Sequence, residues 1–106
     1  MRKISLRHLR CFVAIAETGS FTLAAARLFH TQSSLTATIQ QFEEAVGLKL
    51  FDRTTRRVVL TDDAVRFKAV AERILRDFDS AIGDLQAIAK SQRGHVRIAA
   101  APSMIM

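Results

Sequence analysis

Seven apolar residues step along the second half of this chain at alternating intervals of four and three: Phe67, Ala71, Ile74, Phe78, Ala81, Leu85 and Ile88. That is a heptad seam sustained over three repeats. Thr61 offers an N-cap, and Asp62 and Asp63 fall in the first turn, where the helix dipole favours negative charge. A helix over 62–89 runs roughly 40 Å at 1.5 Å per residue. Nothing else in 106 residues is large enough to cover such a stripe along its whole length. Leu75 and Ile82 widen it beyond a bare seam, and Gly83 falls on the outer face, where its cost of about 1 kcal/mol in helix propensity is tolerable. The same helix from a second copy is the favoured cover, giving a C2 dimer. An intrachain core face is the other reading, and the length of the stripe speaks against it.

The preceding 60 or so residues hold the material for a small core. Leu6, Leu9, Phe12, Val13 and Ala16 mark the apolar face of a first helix, with Ser5 as N-cap and Gly19 as terminator. Ser20 caps a second helix over 21–29, rich in the small residues Ala24, Ala25 and Ala26. Thr31 caps a third, with apolar positions Leu35, Ile39, Phe42 and Val46 and a stop at Gly47. The link between the second and third helices is about three residues, which fits a helix-turn-helix. From Leu48 the period changes. Leu50-Phe51 and Val58-Val59-Leu60 are short β-prone runs around the basic stretch Asp52-Arg53-Thr54-Thr55-Arg56-Arg57, and read as a hairpin with a charged tip. Phe12, Phe21, Phe29, Phe42 and Phe51 read as core rather than as a stacking platform, and Cys11 as a buried small hydrophobe. His8 reads as a surface residue, His30 as a turn residue, and Glu43 and Glu44 as a solvated helix face.

Charge narrows the partners. Sixteen Lys and Arg against ten Asp and Glu leave a formal +6, which points to a polyanion, nucleic acid before membrane surface. One cysteine excludes an internal disulfide framework, and the three histidines do not cluster as a zinc site. No stretch approaches the ~20 apolar residues that span a bilayer, and Arg7 and Arg10 interrupt any signal-peptide core. A soluble cytoplasmic protein without membrane contact is expected. No nucleophile, base and orienter stand at a spacing that supports catalysis, so an enzyme is not expected and neither is a cofactor or a metal.

Three helices followed by a basic hairpin make a mainly α winged helix-turn-helix, here with a long dimerisation helix behind it. An α-helix fits the ~12 Å major groove of duplex DNA. The start of the third helix carries short polar side chains, Thr31, Gln32, Ser33, Ser34, Thr36 and Thr38. Gln bonds adenine bidentately, while Ser and Thr meet base edges or phosphate. The helix N-terminus adds N–H donors suited to phosphate. Arg53, Arg56 and Arg57 in the hairpin are placed to reach phosphate or a minor groove.

These residues also resemble a known family. The run from Leu6 through Phe12, Gly19, Phe21 and Ala24-Ala25 to Leu28, the run Thr31-Gln32-Ser33-Ser34-Leu35-Thr36, and the run Glu43-Glu44-Ala45-Val46-Gly47-Leu48-Lys49-Leu50-Phe51-Asp52-Arg53-Thr54 look like the LysR-type transcriptional regulators, in the right order. The resemblance covers about residues 4–102. It implies a winged-helix DNA-binding domain over 1–61, a linker and dimerisation helix over 62–90, and over 91–106 a hinge and the first strand of an effector-binding domain whose remainder lies beyond this sequence. His95-Val96-Arg97-Ile98-Ala99-Ala100 alternates as such a strand would, so the chain is expected to be a fragment. By the same resemblance Gln32 is the base reader, Thr31 meets phosphate and Thr36 reaches the major groove. Thr22 and Arg27 touch backbone, Arg53 stands at the wing entry, and Arg56 or Arg57 at its tip. Ser33, Ala37, Gln40 and Gln41 depart from the family's frequent proline, arginine and basic residues, so fewer charged contacts are expected from this helix and more from the wing. The implied partners are double-stranded DNA and a second copy, with a tetramer left open for a full-length chain, and a small-molecule effector only through the domain beyond. A coiled-coil protein-interaction module with an incidental helix-turn-helix is the rival reading.

Overall fold

A computed structural model describes residues 3–53 and 57–94. The elements follow in the order α1 (Leu6–Thr18), α2 (Phe21–Leu28), α3 (Gln32–Val46), β1 (Phe51–Asp52), β2 (Val59–Leu60) and α4 (Asp62–Gly94). Local chemistry sets the boundaries. Ser20 Oγ accepts from Leu23 N at 3.0 Å and Thr31 Oγ1 from Ser34 N at 3.1 Å, satisfying first-turn donors of α2 and α3. α1 and α3 end on Gly19 (φ 69°) and Gly47 (φ 77°), left-handed positions where a Cβ would be strained. α2 ends on Phe29, also left-handed at φ 60°.

A first unit ends at Leu75 and a second begins at Arg76. In the first, α1, α2 and α3 pack against one another around Phe12, Ile15, Leu35 and Ile39, all fully buried. Phe12 sits at the centre of an aromatic cluster, with ring centroids 5.5 Å from Phe51, 5.4 Å from Phe67 and 6.3 Å from Phe42. β1 and β2 form an antiparallel pair with Phe51 opposite Leu60 and Asp52 opposite Val59. Thr61 fastens this hairpin to α4: its hydroxyl donates to Lys49 O at 2.9 Å and accepts from Ala64 N at 3.3 Å, and its N–H donates to Leu50 O at 3.0 Å. In the second unit every described residue of α4 is exposed, Phe78, Ile82, Leu85 and Ile88 among them.

The structure corrects several expectations. Phe67 and Ala71, the first two positions of the heptad seam, belong to the chain's own core: Ala71 is fully buried, and the Phe67 ring meets Phe12 and Phe42. With Ala64 and Leu75 they form a face of α4 that joins the core cluster, where Phe67 meets Phe12 of α1 and Phe42 of α3. Phe29 is 95% exposed, because the left-handed turn at the end of α2 carries it out of phase with the buried face. His8 is buried, its Nδ1 accepting from Ser5 N at 3.0 Å and its ring 5.8 Å from Phe42. Glu43 is buried as well, while Glu44 is exposed. α4 runs to Gly94, beyond the end expected at 89. The strand expected after Gly94 and Arg56 in the hairpin tip lie outside the described residues.

Candidate nucleic-acid interface

Two helix N-termini and the hairpin meet on one side of the first unit. Thr22 is the second residue of α2 and Gln32 the first of α3; the link Phe29-His30-Thr31 joins the far end of α2 to α3, and packing of α2 on α3 brings the two N-terminal turns side by side. Thr22 Oγ1 donates to Gln32 Oε1 at 3.0 Å. Thr22, Gln32, Thr36 and Arg53 line one shallow depression, with Phe21 and Val58 forming its apolar floor. The Arg53 guanidinium lies 4.2 Å from the centroid of the Phe21 ring, a cation–π distance that restrains a long cationic side chain beside the polar helix end.

The first turn of α3 supplies the rest. Thr31, Gln32 and Ser33 are exposed, while Ser34 and Thr36 are half-buried. Thr31 is spent on capping, and the N–H groups of Gln32 and Ser33 stand ahead of any intrahelical acceptor at the positive end of the helix dipole. Thr38 does not belong to this surface. It is 1% exposed, and its hydroxyl donates back to Ser34 O at 3.0 Å, so the expectation that it contacts DNA is overturned by burial. The helical period accounts for this: Thr38 shares the inward face with Leu35, Ile39 and Phe42.

Arg27, expected at the backbone, pairs with Glu17 on α1 at 2.6 Å, both side chains roughly half exposed. Such a pair is worth at most about 1 kcal/mol, little enough for a phosphate to displace the carboxylate. Arg57 is exposed beside β2. Two further residues join the surface. Gln40 and Lys49 line a second groove with Arg53, and the Lys49 side chain is 81% exposed. Lys49 is the sole cation between Arg27 and Arg53, a signal the sequence did carry.

Glu43 explains why the hairpin sits where it does. Its Oε2 accepts from Leu50 N at 2.8 Å and Phe51 N at 3.4 Å, and Lys49 Nζ lies 3.9 Å from Oε1. The buried carboxylate thus fixes the start of β1 against the last turn of α3. Elsewhere, burial pushes the Cys11 thiol above its usual range, with nearby Arg7 acting in the opposite sense. Among the described residues no group of three His, Cys, Asp or Glu side chains is placed to hold a metal ion, and no helix is long and apolar enough to cross a membrane.

Residues 6–65 match the family model for the bacterial regulatory helix-turn-helix protein, lysR family. The chain is 38% identical over 100 residues to the HTH-type transcriptional regulator PtxR of Pseudomonas aeruginosa, covering 94% of this chain and 32% of that protein. It is 40% identical over 98 residues to the HTH-type transcriptional regulator PgrR of Escherichia coli K12, covering 92% of this chain and 33% of that one. The chain therefore spans about a third of the length of these relatives. Among solved structures, the BenM_DBD/catB site 1 DNA complex superposes with a TM-score of 0.79 at 38% identity, covering 83% of this chain and 99% of the other. Full-length BenM (R156H mutant) superposes with a TM-score of 0.75 at 38% identity, covering 81% of this chain and 28% of that one.

Proposed function

This chain belongs to the LysR family of bacterial regulatory helix-turn-helix proteins, and we propose that it binds double-stranded DNA in a sequence-specific way, with the N-terminal end of α3 in the major groove and the hairpin on the adjoining backbone. One observation carries the reading: Thr22, Gln32, Thr36 and Arg53, contributed by three separate elements, line a single depression at an exposed helix N-terminus. Together they offer hydroxyl and carboxamide groups to base edges and a guanidinium to phosphate, at the positive end of a helix dipole. The named complex of a 38% identical neighbour with DNA supports the same reading.

Two copies would associate through the exposed stripe of α4, Ile74, Phe78, Ala81, Leu85 and Ile88, now without Phe67 and Ala71. Pairing would present two recognition ends to successive major grooves, about 34 Å or a multiple apart. The whole protein, by the length of its relatives, would add an effector-binding domain that a small molecule addresses, and would act in the cytoplasm where the chromosome lies. Selection of bound duplexes from a random pool tests the reading. It should enrich a half-site in inverted repeat, and a pool that emerges without an enriched sequence overturns the proposal.

A further inference from the structure

We propose that Thr22 is a positioning residue that fixes the Gln32 carboxamide with its amide NH2 toward the duplex, so that Gln32 reads a major-groove acceptor, guanine O6 and N7 or thymine O4, rather than adenine. The inference rests on the duplex-binding reading above.

A glutamine that reads adenine needs both ends of its carboxamide at the base edge: Oε1 accepts from N6–H and Nε2 donates to N7. Here one of the two lone pairs of the carbonyl oxygen is taken within the protein, and the oxygen is drawn toward Thr22. A threonine hydroxyl has one proton, and that of Thr22 goes to Gln32 Oε1 at 3.0 Å. The backbones that carry the two partners are held in place, because each partner stands in the first turn of a capped helix: Ser20 caps α2 and Thr31 caps α3. The bond therefore removes much of the rotamer freedom of the glutamine side chain and tethers its oxygen toward α2. Beside one remaining lone pair on the tethered oxygen, the end left wholly free is the NH2 group with two donors. Guanine presents two adjacent acceptors to it and thymine one, cytosine presents a donor, and adenine presents an acceptor beside a donor that opposes the second N–H. The sequence alone suggests the adenine fork, and the cross-helix bond argues against it.

The test compares the wild-type chain with Thr22→Val, Thr22→Ser and Gln32→Ala. Duplexes are first selected from a random pool with the wild-type chain, and dissociation constants are then measured on the selected duplex with each base in turn at each half-site position. At the one position where Gln32→Ala abolishes preference, the wild type should favour guanine or thymine by about 5- to 150-fold, the range of one good base contact. Thr22→Val should reduce that preference severalfold or move it toward adenine, Thr22→Ser should retain it, and Gln32→Ala should add nothing further in the Thr22→Val background. Thr22→Ala gives the same readout should the valine chain lose its helical circular dichroism. A wild-type preference for adenine at the Gln32 position overturns the proposal. So does a Thr22→Val loss that is uniform over all duplexes and additive with Gln32→Ala, which would make Thr22 a phosphate contact only. A wild-type chain that enriches no sequence overturns the duplex-binding reading itself, and that outcome is distinct because it precedes every variant.

Discussion

Glu43 and Glu44 are adjacent in sequence and opposite in fate. Spacing alone places both on a solvated face, yet Glu43 turns inward to take two backbone N–H groups of the hairpin. No period in α3 announces that, because the donors come from residues 50 and 51 and exist only once the chain has folded back. Glu43→Ala should cost about 1–3 kcal/mol by leaving those donors buried and unpaired, whereas Glu44→Ala should stay within about 0.5 kcal/mol; urea midpoints of the two variants check this. Cys11 gives a pH dependence. Its thiol ionises at higher pH in the fold than in the unfolded chain, because burial disfavours the thiolate. The folded chain therefore keeps a proton that the unfolded chain has released. The contribution is intact below the free-thiol value of about 8.5 and is lost as pH rises through the higher folded value. Wild-type stability should fall more steeply than that of Cys11→Ala above about pH 8.5, and parallel pH profiles of the two would contradict it. His8 mixes the two cases: its bond to Ser5 is local, three residues away at the start of α1, while the Phe42 ring beside it comes from α3 and no spacing in α1 marks it.

At the scale of elements, helix existence and capping were legible. Ser20, Thr31 and Thr61 cap as their residue types suggest, and Gly19 and Gly47 terminate. The heptad of α4 was legible as apolar and amphipathic, but not as divided between two partners. Periodicity says which residues avoid water and nothing about what covers them. The structure separates the two roles: Ala64, Phe67, Ala71 and Leu75 join the chain's core, while Ile74, Phe78, Leu85 and Ile88 keep 37–61% of their surface exposed. The two faces should respond differently to mutation. Phe67→Ala should destabilise the domain by about 2–3 kcal/mol, less than the cost of emptying a fully buried aromatic site, because the ring is half-buried against the core. Leu85→Asp should leave domain unfolding unchanged and halve the mass seen in sedimentation, since a charge would enter the apolar seam of the proposed dimer. An undiminished mass would place the subunit contact elsewhere. Phe29 marks the other limit at this scale. A helical count puts it on the buried face, but the left-handed residue that ends α2 is Phe29 itself, and the count stops there.

For the molecule as a whole, the distribution of charge decides how binding depends on salt. α3 contains no Lys or Arg and two Glu, so the helix proposed to read bases contributes no cation of its own. The cations of this surface stand around it: Arg27 paired with Glu17, Lys49 beside Gln40, Arg53 over Phe21 and Arg57 just ahead of β2. Discrimination and electrostatic affinity are thus assigned to different elements and should be separable. Each phosphate neutralised by a cation releases counterions and adds about 0.9 to the slope of log K against log salt. Arg53→Ala should therefore weaken binding to selected and random duplexes alike and lower the slope magnitude by about 1 for each protomer bound. Gln32→Ala should lose about 1–3 kcal/mol on the selected duplex, much less on random DNA, and leave the slope unchanged. Titrations of the chain into both duplexes over a range of salt concentrations measure all four quantities. A salt slope that falls with Gln32→Ala, or an Arg53→Ala loss confined to the selected duplex, would reverse the division of labour. It would mean that the hairpin arginine reads sequence while the helix end merely anchors to phosphate.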